Sequence, residues 1–433
     1  MNSTSNLNQA SKLTQSETAS TLAPEIRCRT LDTGMVVLVQ PMPWLRTAAF
    51  TLAVPAGVAH EPARHAGLAS LVCEMVQRGA GSYSSRDLVA VQDRLGIERG
   101  GGVTTSMTSF GAAMPAESFA EGLRLYADIV RRPHLPIDQL EDARQVGMQE
   151  LRAIEDEPTH RVMRRLRQLQ YGDVLGRSVS GTVDGLQAIT SDDVRQYYET
   201  TYHSAGAILG IAGNVDVDEV MALAETLFGD WRSGSPTELP QAGGAPGYEH
   251  IELPSSQTHI GFSFPTIPYG SPDYFAMRAG IGILSDGMSS RLFDRVREQR
   301  GLCYTVSASV HNLPQTAAVF GYAGTTPARA QETWDVTHAE IIKLTEDLQA
   351  SELARWQVRI ESSLVMEQES ASSRASSLVA DQQQIGRPQP TAELQGLIEN
   401  LTLDQVRDYW NRHPAGDFRV VTLGEGELVV GQS

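Results

Sequence analysis

Three residues whose types and spacing could do chemistry stand in the stretch 67–75: Ser70, Cys73 and Glu74. Their spacing of i, i+3 and i+4 would place them on one face of a helix, and helices present metal ligands or a general base at such spacings. Zinc, however, is bound by converging His, Cys or carboxylate ligands, and serine is a poor ligand. No histidine follows nearby on the same face. The three side chains therefore form no set that catalysis or metal binding explains, and the helix looks like a site that has lost its ligands.

A second candidate pair is Arg297 and Tyr304. The pattern around it predicts a helix that starts at Ser289, is closed by Gly301 and leads into a strand. Arg297 would lie in the last helical turn and Tyr304 early in the strand, so that a charged donor and a hydroxyl donor could approach one point. Such a pair suits a carbonyl that becomes an oxyanion. The alternative is structural, with Arg297 paired to a surface carboxylate and Tyr304 half-buried.

Composition excludes several function classes. The chain has 433 residues, of which 41% are hydrophobic and 20% charged, as in ordinary globular proteins. The net charge of −17 argues against nucleic acid and against an anionic membrane surface as partners. No apolar run approaches the roughly 18 residues that a membrane helix needs, so we expect no membrane insertion.

The cysteines and the N-terminal region indicate the compartment. Cys28, Cys73 and Cys303 are far apart and form no CxxC pair, which favours a reducing environment over a disulfide framework. Residues 1–24 are rich in Ser, Thr, Asn and Gln, lack the apolar core of a signal peptide, and are expected to form a disordered tail. We therefore expect a cytoplasmic protein, with a periplasmic location left open.

The order of elements suggests an internal duplication. Residues 189–198 and 401–410 are similar, and each stretch precedes an apolar strand that ends in glycine. A Gly-, Pro- and Ser-rich stretch, 232–250, reads as a flexible linker. We therefore predict two homologous α+β halves, 25–231 and 251–433, each a mostly antiparallel sheet covered by helices.

Several local expectations bear on the site. The pattern predicts a helix over about 62–78, a strand near 103–114 that follows a glycine run, and a helix over about 351–385. Ser191 is the expected N-cap of the following helix, and His65 is expected at the surface.

The chain resembles a family of metallopeptidases, the inverzincins, which include pitrilysin, insulysin and the mitochondrial processing peptidase. A helix of that family carries Gly-x-x-His-x-x-Glu-His-Met, and Gly67 and Met75 keep its spacing here. The family also reads Ser-Arg-Leu-Phe and then Arg-Glu-x-x-Gly-Leu-x-Tyr, as residues 290–304 do. The resemblance implies that Arg297 and Tyr304 bind the substrate carbonyl and stabilise the tetrahedral intermediate.

The same resemblance implies that this chain has lost its metal set. The two His positions fall on Ser70 and Glu74, and the general-base position falls on Cys73. Glu150, ahead of an acidic-Pro segment, matches the remaining zinc ligand, but one carboxylate does not hold Zn²⁺. Glu150 is interpreted as a remnant or as the partner of a buried arginine, and we expect no metal in this chain.

From the resemblance we expect a non-catalytic subunit of a heterodimeric bacterial zinc peptidase. A partner chain of similar size would supply His-x-x-Glu-His and the zinc, and Arg297 and Tyr304 would act in trans on unfolded peptide substrates in the partner's site. The first alternative is a structural subunit or a peptide-binding protein without peptidase activity, similar to the core subunits of respiratory complexes. The second is an independent enzyme of another class that uses Cys73 or Glu74.

Overall fold

The computed structural model describes residues 25–235 and 238–431, so the predicted tail 1–24 lies outside the described residues. Eleven strands are formed within them: β1 Arg27–Thr30, β2 Val36–Pro41, β3 Thr47–Val54, β4 Glu98–Val103, β5 Thr108–Pro115, β6 Ile208–Gly213, β7 Gly247–Glu252, β8 Thr258–Thr266, β9 Cys303–Leu313, β10 Thr316–Thr325 and β11 Arg419–Gly424. The α-helices of the same part of the chain are α1 Leu68–Met75, α2 Ser85–Arg94, α3 Phe119–Arg131, α4 Leu140–Glu155, α5 Pro158–Leu175, α6 Val183–Ala188, α7 Ser191–Thr201, α8 Val217–Phe228, α9 Tyr274–Ser285, α10 Ala330–Ile342, α11 Ala350–Glu367, α12 Ala371–Ile385, α13 Thr391–Glu399 and α14 Leu403–Arg412.

The strands form two sheets with the same internal plan. The first has the order β1-β2-β6-β3-β5-β4 and the second the order β7-β11-β8-β10-β9. In each sheet a single parallel pair, β2 with β6 or β7 with β11, is followed by antiparallel pairs. The predicted duplication and the predicted pair of mostly antiparallel sheets are thereby confirmed, with β1 as an addition to the first half.

The similar stretches 189–198 and 401–410 start equivalent helices, α7 and α14. Both start with a capping box, because a threonine accepts from the backbone N–H three residues on and that residue bonds back to the threonine N–H. In α7 the capping residue is Thr190, so the prediction of Ser191 is wrong by one position. Ser191 is the first helical residue, and a capping box at Ser191 would need an acceptor side chain at position 194, which is a valine.

Helices are exchanged between the halves. Helix α5 of the first half packs on β8 and β11 of the second sheet, and α12 of the second half packs on β6 and β3 of the first. The close approach needs glycine: a Cβ on Gly210 would lie 2.5 Å from the Ala375 carbonyl oxygen, and one on Gly261 would lie 2.5 Å from a Val162 methyl. Each sheet is thus covered on one face by a helix of the other half.

Four predicted boundaries need correction. Helix α1 is shorter than 62–78, because Gly67 takes a left-handed φ of 104° immediately before it. Residues 103–114 are the end of β4 and most of β5, and the glycine run lies inside β4. The predicted helix 351–385 is broken between α11 and α12. Residues 247–250 belong to β7 rather than to the linker, because they pair with β11.

No helix in the described part of the chain combines the length and the apolar character needed to cross a membrane.

Candidate functional site

Helix α1 is held at its start by a buried carboxylate. Glu61, 4% exposed, accepts a hydrogen bond of 2.6 Å from the N–H of Ala69 and one of 3.2 Å from that of Gly67. These N–H groups belong to the first turn, where no intrahelical acceptor is available. Sequence reasoning missed Glu61, although an acidic residue shortly before a helix is a signal for this role.

Burial raises the pKa of Glu61 from its ordinary value of 4.5 to about 7, while its two backbone N–H donors and the Arg177 guanidinium oppose that rise. The folded protein therefore keeps a proton between pH 4.5 and about 7 that the unfolded chain releases. Since the folded state binds more protons in this interval, the free energy of unfolding falls as the pH rises.

Glu61→Gln should remove this part of the pH dependence. In the wild type, the free energy of unfolding should fall for this reason by at most about 1.4 kcal/mol per pH unit. Urea unfolding at about pH 5 and about pH 7 measures it as the difference between wild type and variant. Glu117→Gln, at an exposed position, is the control, and equal slopes in the wild type and Glu61→Gln would contradict the prediction.

Two of the three polar residues of α1, Ser70 and Glu74, are engaged by other residues of the chain, and the third, Cys73, is partly buried. The Ser70 hydroxyl donates a 2.6 Å hydrogen bond to the Val179 carbonyl. The Glu74 carboxylate forms an ion pair of 3.0 Å with Arg78, one helical turn away. Burial, with a smaller contribution from the Glu74 charge, raises the pKa of the Cys73 thiol to about 12. The thiol therefore stays protonated near neutral pH, which makes it a poor nucleophile there.

These residues line one cavity of about 360 Å³ together with Glu150 of α4. The structure thus brings all four positions of the predicted lost site together. Gly101 and Gly102 of β4, the edge strand of the first sheet, form part of the wall. Glu150 is exposed and makes no ion pair with any described residue, so the interpretation as the partner of a buried arginine is wrong.

The cavity does not fit a zinc ion. Its potential donors are a serine hydroxyl bonded to a main-chain carbonyl, the Cys73 thiol, a carboxylate paired with arginine, and Glu150, with no histidine among them. Within residues 25–235 and 238–431 no group of three or more His, Cys, Asp and Glu side chains is placed to hold a metal. A structural zinc site uses four converging His, Cys or carboxylate ligands, and the donors of this cavity do not form such a set.

His65 is buried, which corrects its expected place at the surface. Its side chain is 5% exposed, and its Nδ1 lies 3.3 Å from the Asp193 carboxylate in the first turn of α7. His65 precedes α1 and belongs to the packing of α1 against α7 rather than to the cavity.

Arg297 lies at the end of a short helical segment of the second half. The segment Leu292–Glu298 is π-helical, where a regular helix was predicted, and Gly301 closes it with a left-handed φ of 60°. The Arg297 guanidinium lies 4.6 Å from the centroid of the Phe293 ring and 3.7 Å from the Glu298 carboxylate. Stacking on Phe293 orients the guanidinium without using its N–H donors.

Tyr304 projects from β9, the edge strand of the second sheet. The register with β10 shifts between Cys303 and Thr305, which leaves Tyr304 as the extra residue of a β-bulge. Bulges redirect side chains and occur often beside active sites. Tyr304 is 60% exposed, so the half-buried alternative is wrong. The segment that carries Arg297 packs against β9, so Arg297 and Tyr304 lie on contacting elements of the second half.

Two family models match consecutive parts of the chain. A model described as insulinase (peptidase family M16) matches residues 36–183, and a model described as peptidase M16 inactive domain matches residues 188–357. The chain belongs to peptidase family M16. The two matches together cover well over half of the chain, and the second of them includes β6 of the first sheet as well as strands of the second sheet.

Bacterial relatives of this M16 protein extend over nearly its whole length. An uncharacterized zinc protease of Rickettsia felis is 24% identical over 384 residues, covering 88% of this chain and 93% of the relative. One of Mycobacterium bovis is 26% identical over 396 residues, covering 90% of each. The zinc protease name belongs to those proteins.

Solved structures share the M16 fold. A crystal structure described as the peptidase M16 inactive domain from Pseudomonas fluorescens matches with a TM-score of 0.84 at 19% identity, over 94% of this chain and 99% of that one. A protease from Helicobacter pylori matches with a TM-score of 0.85 at 17% identity, over 93% and 100%. At these identities the likeness concerns the fold alone.

Proposed function

We propose that this M16 chain is the zinc-less subunit of a heterodimeric zinc metallopeptidase that acts on unfolded peptides in the cytoplasm. Its partner would be a chain of similar size that carries His-x-x-Glu-His and the zinc. The observation that carries the proposal is the contrast between the residues at the zinc-site positions of α1 and the pair Arg297 and Tyr304. Ser70 and Glu74 are bound within the chain, whereas Arg297 and Tyr304 are exposed on contacting elements of the second half.

The exposed pair has the properties that an oxyanion site needs. The Tyr304 hydroxyl makes no hydrogen bond to any described residue, and Arg297 has only a long contact with Glu298. Both therefore retain donors for a ligand. A positively charged donor and a hydroxyl aimed at one oxygen stabilise the charge that develops when a peptide carbonyl is attacked. In the proposed pair that oxygen belongs to a peptide bound at the partner's zinc.

Reconstitution tests the proposal. The purified chain should contain far less than one zinc per molecule and cleave no denatured protein, and addition of a His-x-x-Glu-His chain encoded beside it should give a heterodimer with activity above that of the partner alone. Zinc is measured by mass spectrometry, assembly by size-exclusion chromatography, and cleavage with a quenched fluorescent peptide.

Two results would oppose it. Stoichiometric zinc with cleavage by this chain alone would show an independent enzyme. A stable heterodimer whose activity equals that of the partner alone would favour the structural or peptide-binding alternative.

A further inference from the structure

A second cavity, of about 330 Å³, lies on the other side of the loop that follows α5. Four arginines line it: Arg161, Arg164 and Arg165 from α5 and Arg177 from the loop. The lining contains one carboxylate, that of Glu155. This concentration of positive charge stands out in a chain of net charge −17. It belongs neither to the cavity at α1 nor to the pair Arg297 and Tyr304.

Two of the four guanidinium groups are neutralised by carboxylates. Arg164 is paired with Glu155 of α4. Arg165 binds both oxygens of Glu249 on β7, with distances of 2.7–2.9 Å. These two ion pairs fix the wall of the cavity and connect α5 to both halves.

The other two arginines have no carboxylate partner among the described residues. Arg177 donates to the main-chain carbonyls of Glu61 and Asp173, which position it without neutralising it. The Glu61 carboxylate is directed instead at the N–H groups that start α1. The Arg161 side chain makes no hydrogen bond or ion pair with any described residue, although it is only partly exposed. Two guanidinium groups of the cavity thus form no ion pair with a carboxylate of the described residues, although the Glu61 carboxylate is near enough to Arg177 to feel its charge.

The remaining walls indicate the shape of a ligand. Ser178 and Thr182 supply polar groups, and Leu151, Val183 and Ile251 supply apolar surface. A phosphate monoester carries close to two negative charges near neutral pH, and its oxygens match the planar donor fork of arginine. A carboxylate carries one charge and would leave the other guanidinium uncompensated.

We propose that this cavity binds a small phosphorylated molecule, with the dianionic phosphate between Arg161 and Arg177 and the organic part against the apolar wall. The site does not depend on the proposed role as a peptidase subunit. It does share a wall with the cavity at α1, because Val179 and Ser180 line that cavity while Ser178 and Gly181 line this one.

Calorimetric titration of the full-length chain with phenyl phosphate, at low ionic strength and about pH 7.5 where the phosphate is largely dianionic, tests the proposal. Phenyl phosphate should bind at one site and more tightly than benzoate, which has the same ring and a single charge. Inorganic phosphate should compete. Arg161→Gln should weaken the binding at least about tenfold, since hydrogen bonds between charged groups contribute that much.

A second variant and a control locate the site. Gln168→Glu adds a negative charge to the lining at nearly constant shape and keeps an acceptor for Arg165, so it too should weaken phenyl phosphate binding. Arg86→Gln, at an exposed position on α2 outside the cavity, should bind as the wild type does. Equal affinity for benzoate, unchanged binding in Arg161→Gln, or equal losses in Arg86→Gln would each overturn the assignment.

Discussion

In the proposed heterodimer, Arg297→Ala and Tyr304→Phe are each expected to lower kcat by about 10²–10³, the range found when one oxyanion donor is removed. The loss should exceed any change in KM, because the donors are needed more by the developing oxyanion than by the ground-state carbonyl. Both variants should assemble normally, since the two side chains are exposed and support no buried contact. Steady-state cleavage of a peptide by the reconstituted pair measures the effect.

Two neighbouring substitutions serve as controls. Arg300→Ala removes an exposed arginine just beyond the same helical segment, and Ser307→Ala changes an exposed residue farther along β9. Neither should alter kcat appreciably. Wild-type turnover in both Arg297→Ala and Tyr304→Phe would refute the action in trans, even if the heterodimer itself were confirmed.

Arg374→Met is expected to destabilise the chain by about 3–5 kcal/mol, as when one partner of a buried ionic network is removed. Arg374 on α12 is 1% exposed and donates to the side chains of Gln40 and Glu367 and to the Gln389 carbonyl. Methionine fills much of the volume but leaves the buried Gln40 amide without its donor. The loss is measured as the difference in the free energy of unfolding in urea.

Arg387→Met is the matched control, because Arg387 lies just beyond the same helix and its ion pair with Glu393 is exposed to solvent. Solvent-exposed ion pairs contribute little, so this variant should unfold at nearly the wild-type urea concentration. Equal stability of Arg374→Met and wild type would show that the buried network contributes nothing to the packing of α12.

Much of the fold could be predicted because the duplication repeats local signals. The threonine caps of α7 and α14 recur with the same spacing, and the apolar strands that follow them end in glycine in both halves. The helix exchange could not be predicted, because it depends on which sheet each apolar helix face meets. Gly210 and Gly261 allow that contact, yet each reads in the sequence only as a glycine within a strand.

The candidate site, too, could be predicted from the sequence only in part. The spacing of Ser70, Cys73 and Glu74 placed them on one face of a helix, and the cavity at α1 contains all three. Their hydrogen bonds and ion pairs involve residues up to 109 positions away, which spacing does not reveal. The role of Glu61 was missed for a related reason, because its effect depends on burial. The bulge that exposes Tyr304 arises from the pairing of two strands and leaves no mark on the sequence of either.

The exchanged helices α5 and α12 have a consequence for how a peptidase built from this chain would admit a substrate. Since each half carries a layer of the other half's core, moving the two halves apart would expose apolar surface on both sheets at once. We therefore expect the two halves to move together rather than about a hinge in the connection between them. In the proposed pair, entry of a peptide and release of its products would require motion between the two polypeptides, and their shared interface would set the rate of opening.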